Sequence, residues 1–278
     1  MKKLIAALAA MLVLFSGCAA HNSNDPPTTE RAEMTMPEST SAATTTHPDD
    51  RSDEALQALA QDYLQNVPTQ WGLAFDGIVS RFEPTGKQLA LTLDACGGSV
   101  GGGIDTALMD FLSRENIPAT LFVSGRWAEQ NRETLKALAE NPLFSIQNHG
   151  GAHKPLSVTP REAYGIKAAG SVAGVMEEVL AGERIIQEIT GARPRFFRSG
   201  TAHYDDVSVR LLQDLGYLPA GFSVNGDGGA TFTARQVRAA LMACQPGDII
   251  LGHIIDKRRK KPPDKICETA CNSPRNLL

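Results

Sequence analysis

Aromatic side chains are scarce in this 278-residue chain, at 6%, and only five cysteines are present. So few cysteines cannot staple a scaffold of this size, so the fold must rest on an apolar core, which a 42% hydrophobic composition can supply. Net charge is also small: a formal −4 gives no global electrostatic reason to bind nucleic acid. The glycine cluster Gly97-Gly98 and Gly101-Gly102-Gly103 lacks the Gly-Lys-Ser/Thr of a phosphate loop and the spacing of a dinucleotide fingerprint. Those glycines are expected to let a polymer approach the backbone closely. No internal repeat is evident. What remains is a globular domain between two atypical ends.

At the start, Lys2 and Lys3 precede an apolar stretch from Leu4 to Phe15, and Ser16-Gly17-Cys18 follows. That stretch is too short to cross a bilayer as a helix and suits the core of a signal peptide over residues 1–17. The small residues before Cys18 resemble a bacterial lipoprotein signal, with Cys18 as the lipidated residue and Leu14 serving one place early because Phe15 stands in the usual Leu position. Ordinary secretion with cleavage nearby is the alternative. Either way the folded part is expected outside the cytoplasm, and the lipid would hold it to a membrane in the cell envelope. Residues 18–52 are rich in Thr, Ser, Pro, Asp and Asn and cannot bury enough surface to offset their ordering entropy. They read as a flexible tether, with His21 and His47 solvated.

Residues 53–256 alternate strands and helices. Asp53 to Gln65 has one apolar helical face, and Gln88 to Leu93 reads as a buried strand. Helical spacing from Ile104 to Leu112 is followed by strand Ala119 to Val123, helix Glu129 to Glu140 and strand Phe144 to Gln147. A long helix is expected from Pro160 to Thr190, closed by Gly191. Arg195 to Phe197, Leu218 to Val224 and Asp248 to Leu251 read as the remaining strands, separated by helices near Asp206–Leu215 and Ala234–Cys244. Six strands interleaved with helices predict an α/β fold with a parallel sheet, open or closed into a barrel.

Asp94, His149, Arg198, Asn225 and His253 each follow an apolar strand. In parallel α/β folds the C-terminal strand ends form the active face, so these five should converge. The strongest local feature is His149-Gly-Gly-Ala-His153, two histidines four apart on one face of a turn or short helix. Such a pair can offer two neutral imidazole nitrogens to a divalent metal.

Together these residues carry a resemblance. Thr92-Leu93-Asp94-Ala95-Cys96-Gly97-Gly98 is similar to the first motif of the NodB-type polysaccharide deacetylases, carbohydrate esterase family 4. His149 to His153 resembles their metal-binding histidine motif, Phe197-Arg198-Ser199-Gly200 their arginine turn, and Leu251-Gly252-His253 their final Leu-x-His. Gly221 to Asn225 lies where the fourth motif belongs, and Ile117 to Val123 resembles the family's second strand. The likeness runs from about Trp71 to His253 in the family's order.

It implies a distorted (β/α) barrel that removes acetyl groups from N-acetylglucosamine units of an envelope polysaccharide. It also implies His149 and His153 as ligands of a divalent metal, zinc being the expected one. Asp94 would be the general base, His253 the acid that protonates the leaving amine, and Arg198 the partner that orients Asp94. One departure matters: Ala95 occupies the place of the family's second, metal-binding aspartate. Substitutes for that ligand are, in expected order, water or Asp94, then Asp105, and last Cys96. The rival readings are a glycan-binding lipoprotein without turnover on the same fold and a deacylase of a small non-sugar amide. No protein partner is predicted.

From Lys257 to Leu278 seven basic and two acidic residues give a formal +5, with Cys267 and Cys271 four apart. The resemblance implies a further helix and strand here to close the barrel; no such period marks this tail, so the barrel is expected to be incomplete at its C-terminal end.

Overall fold

A computed structural model describes residues 51–255, apart from the side chains of residues 99 and 100. The signal segment, Cys18, His21, His47, the tether up to residue 50, and the basic tail with Cys267 and Cys271 lie outside the described residues. Ser52 caps α1 (Asp53–Tyr63) by accepting from the Ala55 amide. After it come β1 (Trp71–Gly72), β2 (Ala90–Ala95), the single turn α2 (Gly98–Gly101) and α3 (Thr106–Arg114). Next are β3 (Ala119–Val123), α4 (Gly125–Gln130), α5 (Arg132–Glu140) and β4 (Phe144–Asn148). A hairpin of β5 (Glu162–Ala163) and β6 (Ile166–Lys167) precedes the longest helix, α6 (Val172–Thr190). The chain continues through β7 (Phe196–Phe197), β8 (Tyr204–Asp205), α7 (Asp206–Asp214) and β9 (Leu218–Pro219). It then adds β10 (Val224–Asn225), α8 (Ala234–Met242) and β11 (Ile249–His253).

Seven strands form one sheet in the order β10-β11-β2-β3-β4-β7-β9, and every neighbouring pair is parallel. β9 and β10 are the two outer strands, yet only residues 220–223 separate them in sequence. Five peptide steps span at most about 18 Å, so the sheet has to curl until its edges approach. Val79 bridges Ala220, just past β9, and Arg81 bridges Asp248, just before β11, so one segment touches both sides of the curl. The result is the distorted (β/α) barrel implied by the sequence, left open between β9 and β10.

Three expectations change. The run Leu218–Val224 is two strands on opposite edges rather than one, and Pro219 sits in the edge strand β9, where a missing amide costs no ladder bond. At Gly221 an added Cβ would sit 2.8 Å from Ile78 Cγ2, so the chain crosses there at close range. The helix expected from Pro160 begins only at Val172: Tyr164 and Gly165 have φ of 53° and 77°, a two-residue hairpin turn that no helix tolerates. Its end is as expected, with Gly191 left-handed at φ 72°. The Glu129–Glu140 helix is broken at Asn131 (φ −131°), whose side-chain amide donates to the carbonyls of Gly102 and Trp127.

Two apolar clusters anchor the sheet. Leu93, Leu121 and Val123 pack with Met109, Leu112, Trp127 and Leu135 from α3, α4 and α5. Phe197 and Tyr217 pack with Val175, Val179, Leu211 and Leu212 from α6 and α7. Each fully buried side chain of this kind contributes about 1.5–3 kcal/mol, which fixes the strands whose far ends carry the polar residues. No helix among the described residues is long and apolar enough to cross a membrane.

Candidate active site and metal centre

Because the strands are parallel, their C-terminal ends share one rim. Register brings specific residues together there: His253 lies opposite Asp94, Asp94 opposite Phe122, and Asn148 opposite Phe197. His149 and Arg198 follow the last of these pairs directly. Four of the five residues expected to converge do so; Asn225 has a different task.

Arg198 is fully buried and carries the charge pairing of the rim. Its Nη1 donates to Asp94 Oδ1 at 2.8 Å and to Thr92 Oγ1 at 2.8 Å, and its Nη2 to the Gly221 carbonyl at 2.7 Å. The guanidinium also lies 4.2 Å from the centre of the Phe122 ring. Such a pair is held by geometry rather than by surplus energy, since burying both charges offsets most of their attraction. Asp94 Oδ2 is left facing the interior of the rim, 3.6 Å from His149 Nε2.

His149 Nδ1 lies 2.8 Å from the Arg198 carbonyl. A carbonyl only accepts, so Nδ1 carries the proton and, in the neutral ring, Nε2 offers a lone pair to the interior. Burial pulls the His149 pKa down, while the charge of Asp94 and the Cys96 thiol push it up, and the net direction is upward.

His153 reaches the same point by a strained backbone rather than by a helical turn: its φ is 61°, uncommon for a residue with a side chain. The intervening loop is pinned from α6 by the buried Glu178, whose carboxylate accepts from the amides of Ala152 and Lys154 at 2.9–3.1 Å. Gly150 has φ 81° and an added Cβ would lie 2.2 Å from Glu178 Oε1, so only glycine fits. The two imidazoles end edge to face, 4.7 Å between centres. Among the described residues His153 Nδ1 is one of three buried side-chain atoms without a hydrogen-bond partner.

Cys96 completes the group. Its Sγ lies 3.8 Å from His149 Nε2, and ligand atoms of Cys96, His149 and His153 all fall within 4.8 Å of one another. Burial would push the Cys96 thiol up, yet the charge on His153 and hydrogen bonds with His149, His153 and His253 hold it well below its ordinary value. A thiol and two imidazoles converging on one point, with a buried ring nitrogen unsatisfied, fit a metal ion chemically. Among the substitutes expected for Ala95, Asp94 Oδ2 and Cys96 Sγ both come close to His149 Nε2, at 3.6 and 3.8 Å. Asp105 is occupied elsewhere, accepting from the Leu108 amide at 3.1 Å as the cap of α3, and the sulfur placed last is the donor that faces the histidines.

His253 stands beside this group with its Nδ1 3.0 Å from Asp227 Oδ1, and its own amide donates to Asp227 Oδ2 at 2.8 Å. Burial pulls its pKa down, but the Asp227 carboxylate and Cys96 raise it well above the ordinary value. Asp227 was not among the residues singled out from the sequence; its only signal is a carboxylate two positions after a strand and before a Gly-Gly turn. Asn225 serves that turn, its Oδ1 accepting from the Gly228 amide at 2.8 Å. Of the two tryptophans, Trp127 is wholly buried and donates to the Gly103 carbonyl, whereas Trp71 is half-buried beside His203 and Arg161. Gly97 is needed for packing, as an added Cβ would lie 2.7 Å from Arg126 Cγ.

A family profile described as polysaccharide deacetylase matches residues 82–220, half of the chain. No curated protein matches. Among solved structures, a family 4 carbohydrate esterase pseudoenzyme from Bacillus anthracis is 18% identical with a TM-score of 0.53, covering 64% of this chain and 58% of its own. A family 4 carbohydrate esterase from Bacillus anthracis is 20% identical with a TM-score of 0.52, covering 70% and 84%. A peptidoglycan N-acetylglucosamine deacetylase solved in complex with 4-naphthalen-1-yl-N-hydroxybenzamide is 20% identical with a TM-score of 0.54, covering 64% and 76%. The chain spans about three fifths of the length of the pseudoenzyme structures it matches. Identities this low speak for the fold; the profile match speaks for the family, and the chain belongs to the polysaccharide deacetylases.

Proposed function

We propose that the chain is a metal-dependent hydrolase that removes acetyl groups from N-acetylglucosamine-containing polysaccharide of the cell envelope. The observation that carries this reading is the convergence of Cys96, His149 and His153 within 4.8 Å, immediately beside Asp94 and His253. His149 and His153 would hold the cation, zinc by preference for imidazole donors. When bound, it supplies electrophilic polarisation of the acetyl carbonyl and acidifies a nearby water.

The chain's own groups do the rest. Asp94 takes the proton of the attacking water on Oδ2, the oxygen not engaged by Arg198. Arg198 holds the other oxygen in place. Asp227 fixes the Nδ1 side of the His253 ring, so Nε2 is the atom that delivers a proton to the leaving amine, and the raised pKa keeps that proton available. A lipid on Cys18 would tether the domain to a membrane, which suits a polymeric envelope substrate.

Acetate release from N-acetylglucosamine oligomers tests the proposal. Asp94→Asn should abolish release with an unchanged far-ultraviolet circular dichroism spectrum; retained turnover would move the base to another carboxylate. Running simple acetylated amides in parallel separates a sugar deacetylase from a small-amide deacylase. A second reading, glycan binding without turnover, draws on Ala95 and on the likeness to a structure described as a pseudoenzyme. Under it, metal-replete protein would bind the oligomers and release no acetate.

A further inference from the structure

We infer that Cys96 is the third protein ligand of the metal site, a sulfur donor supplying what Ala95 cannot, and that it makes the site select a borderline-soft cation such as zinc or cobalt(II) over hard magnesium. The inference rests on the metal-dependent reading above and adds the ligand that reading left open.

Geometry carries it first. Zinc–sulfur bonds of about 2.3 Å and zinc–nitrogen bonds of about 2.0–2.1 Å at a tetrahedral angle place the two donors about 3.6 Å apart. Cys96 Sγ and His149 Nε2 are 3.8 Å apart, so a shift of a few tenths of an ångström completes the pairing. The third ring is at hand: a His153 nitrogen lies within 4.8 Å of both donors, and its buried Nδ1 has no hydrogen-bond partner. Rigidity comes second. The Cys96 carbonyl accepts from Ser124 Oγ at 2.8 Å and from Arg126 Nε at 2.7 Å, which fixes the backbone just past β2 where the thiol turns inward. Occupation elsewhere comes third: Asp105 caps α3, and Asp94, with one oxygen held by Arg198, has the other assigned to the attacking water. Nor is the thiol used in a disulfide: among the described residues both Cys96 and Cys244 are free.

Thiolate is a soft ligand and imidazole an intermediate one, and the pair favours zinc and cobalt over cations that seek oxygen. Binding displaces the thiol proton, so the metal-loaded protein should hide Cys96 from alkylating reagents.

The test uses cobalt(II) as a spectroscopic stand-in. The cobalt-loaded chain should show sulfur-to-cobalt charge-transfer absorption in the near ultraviolet, lost in Cys96→Ala and kept in Cys244→Ala. Zinc affinity in Cys96→Ala should fall at least about 100-fold, since losing outer-shell partners alone costs 10–100-fold. Iodoacetamide labelling of the unsubstituted chain gives a check independent of any variant's folding: peptide mapping should find Cys96 alkylated after chelation and protected by zinc. Cobalt binding without the charge-transfer band, or equal labelling of Cys96 with and without zinc, overturns the inference. The two readings fail separately. Metal-dependent acetate release without the band removes Cys96 as ligand and keeps the deacetylase; the band without acetate release does the reverse.

Discussion

On the Asp94, Arg198 and His253 side of the rim, the orienting atoms are engaged by protein: Asp94 Oδ1, both terminal nitrogens of Arg198, and His253 Nδ1. Across the rim, at Cys96, His149 and His153, the converging donor atoms face one another, and a buried ring nitrogen stays unsatisfied. Leaving such an atom unpaired costs about 1–3 kcal/mol; Arg198 Nε bears the same cost, but only the His153 ring stands beside a thiol and a second imidazole. The first side is built to hold proton-handling groups still before substrate arrives. The second is built to be completed from outside.

Breaking the paired side should have the largest effect. Arg198→Met leaves the Asp94 charge buried without its partner, and removing one member of a buried pair costs about 3–5 kcal/mol. Thermal denaturation should show the melting temperature falling by roughly 10 °C for a domain of this size; an unchanged melting point would mean that Asp94 is solvated. Asp227→Asn comes next. It keeps the loop but takes the charge from His253, and deacetylation should slow by about 100-fold, the scale of one acid–base contribution, with thermal stability nearly intact.

On the open side, Gly150→Ala puts a Cβ 2.2 Å from Glu178 Oε1 at a backbone φ of 81°. Strain of this kind costs about 1–3 kcal/mol, and isothermal titration should find weaker zinc binding, because the loop carrying His153 must move. The smallest effect sharpens the boundary between the two sides. Asp105→Ala should lose about 1 kcal/mol of helix capping while zinc stoichiometry stays unchanged; a lost metal would make Asp105 a ligand after all.

How much of this could be read from the sequence follows from whether a feature is local. Asp94, His149, Arg198 and His253 were legible because each ends an apolar strand, and parallel topology alone brings strand ends together. The split of Leu218–Val224 was not, because a continuous apolar run does not say that its two halves pair with opposite edges of a curled sheet. Likewise the hairpin at Tyr164-Gly165 hides within a helical period. Asp227 escaped because its role depends on β10 lying beside β11, which places it against His253. Cys96 reads in the sequence as a small buried residue of the kind that usually packs; its neighbourhood with two imidazoles depends on the left-handed backbone at His153, which no sequence period announces.

The most direct measurement of the central claim is acetate release from N-acetylglucosamine oligomers by one preparation assayed as purified, after chelation, and after zinc is restored. The account predicts release that disappears with the chelator and returns with zinc at about one equivalent. Release that persists in the fully chelated protein would contradict it.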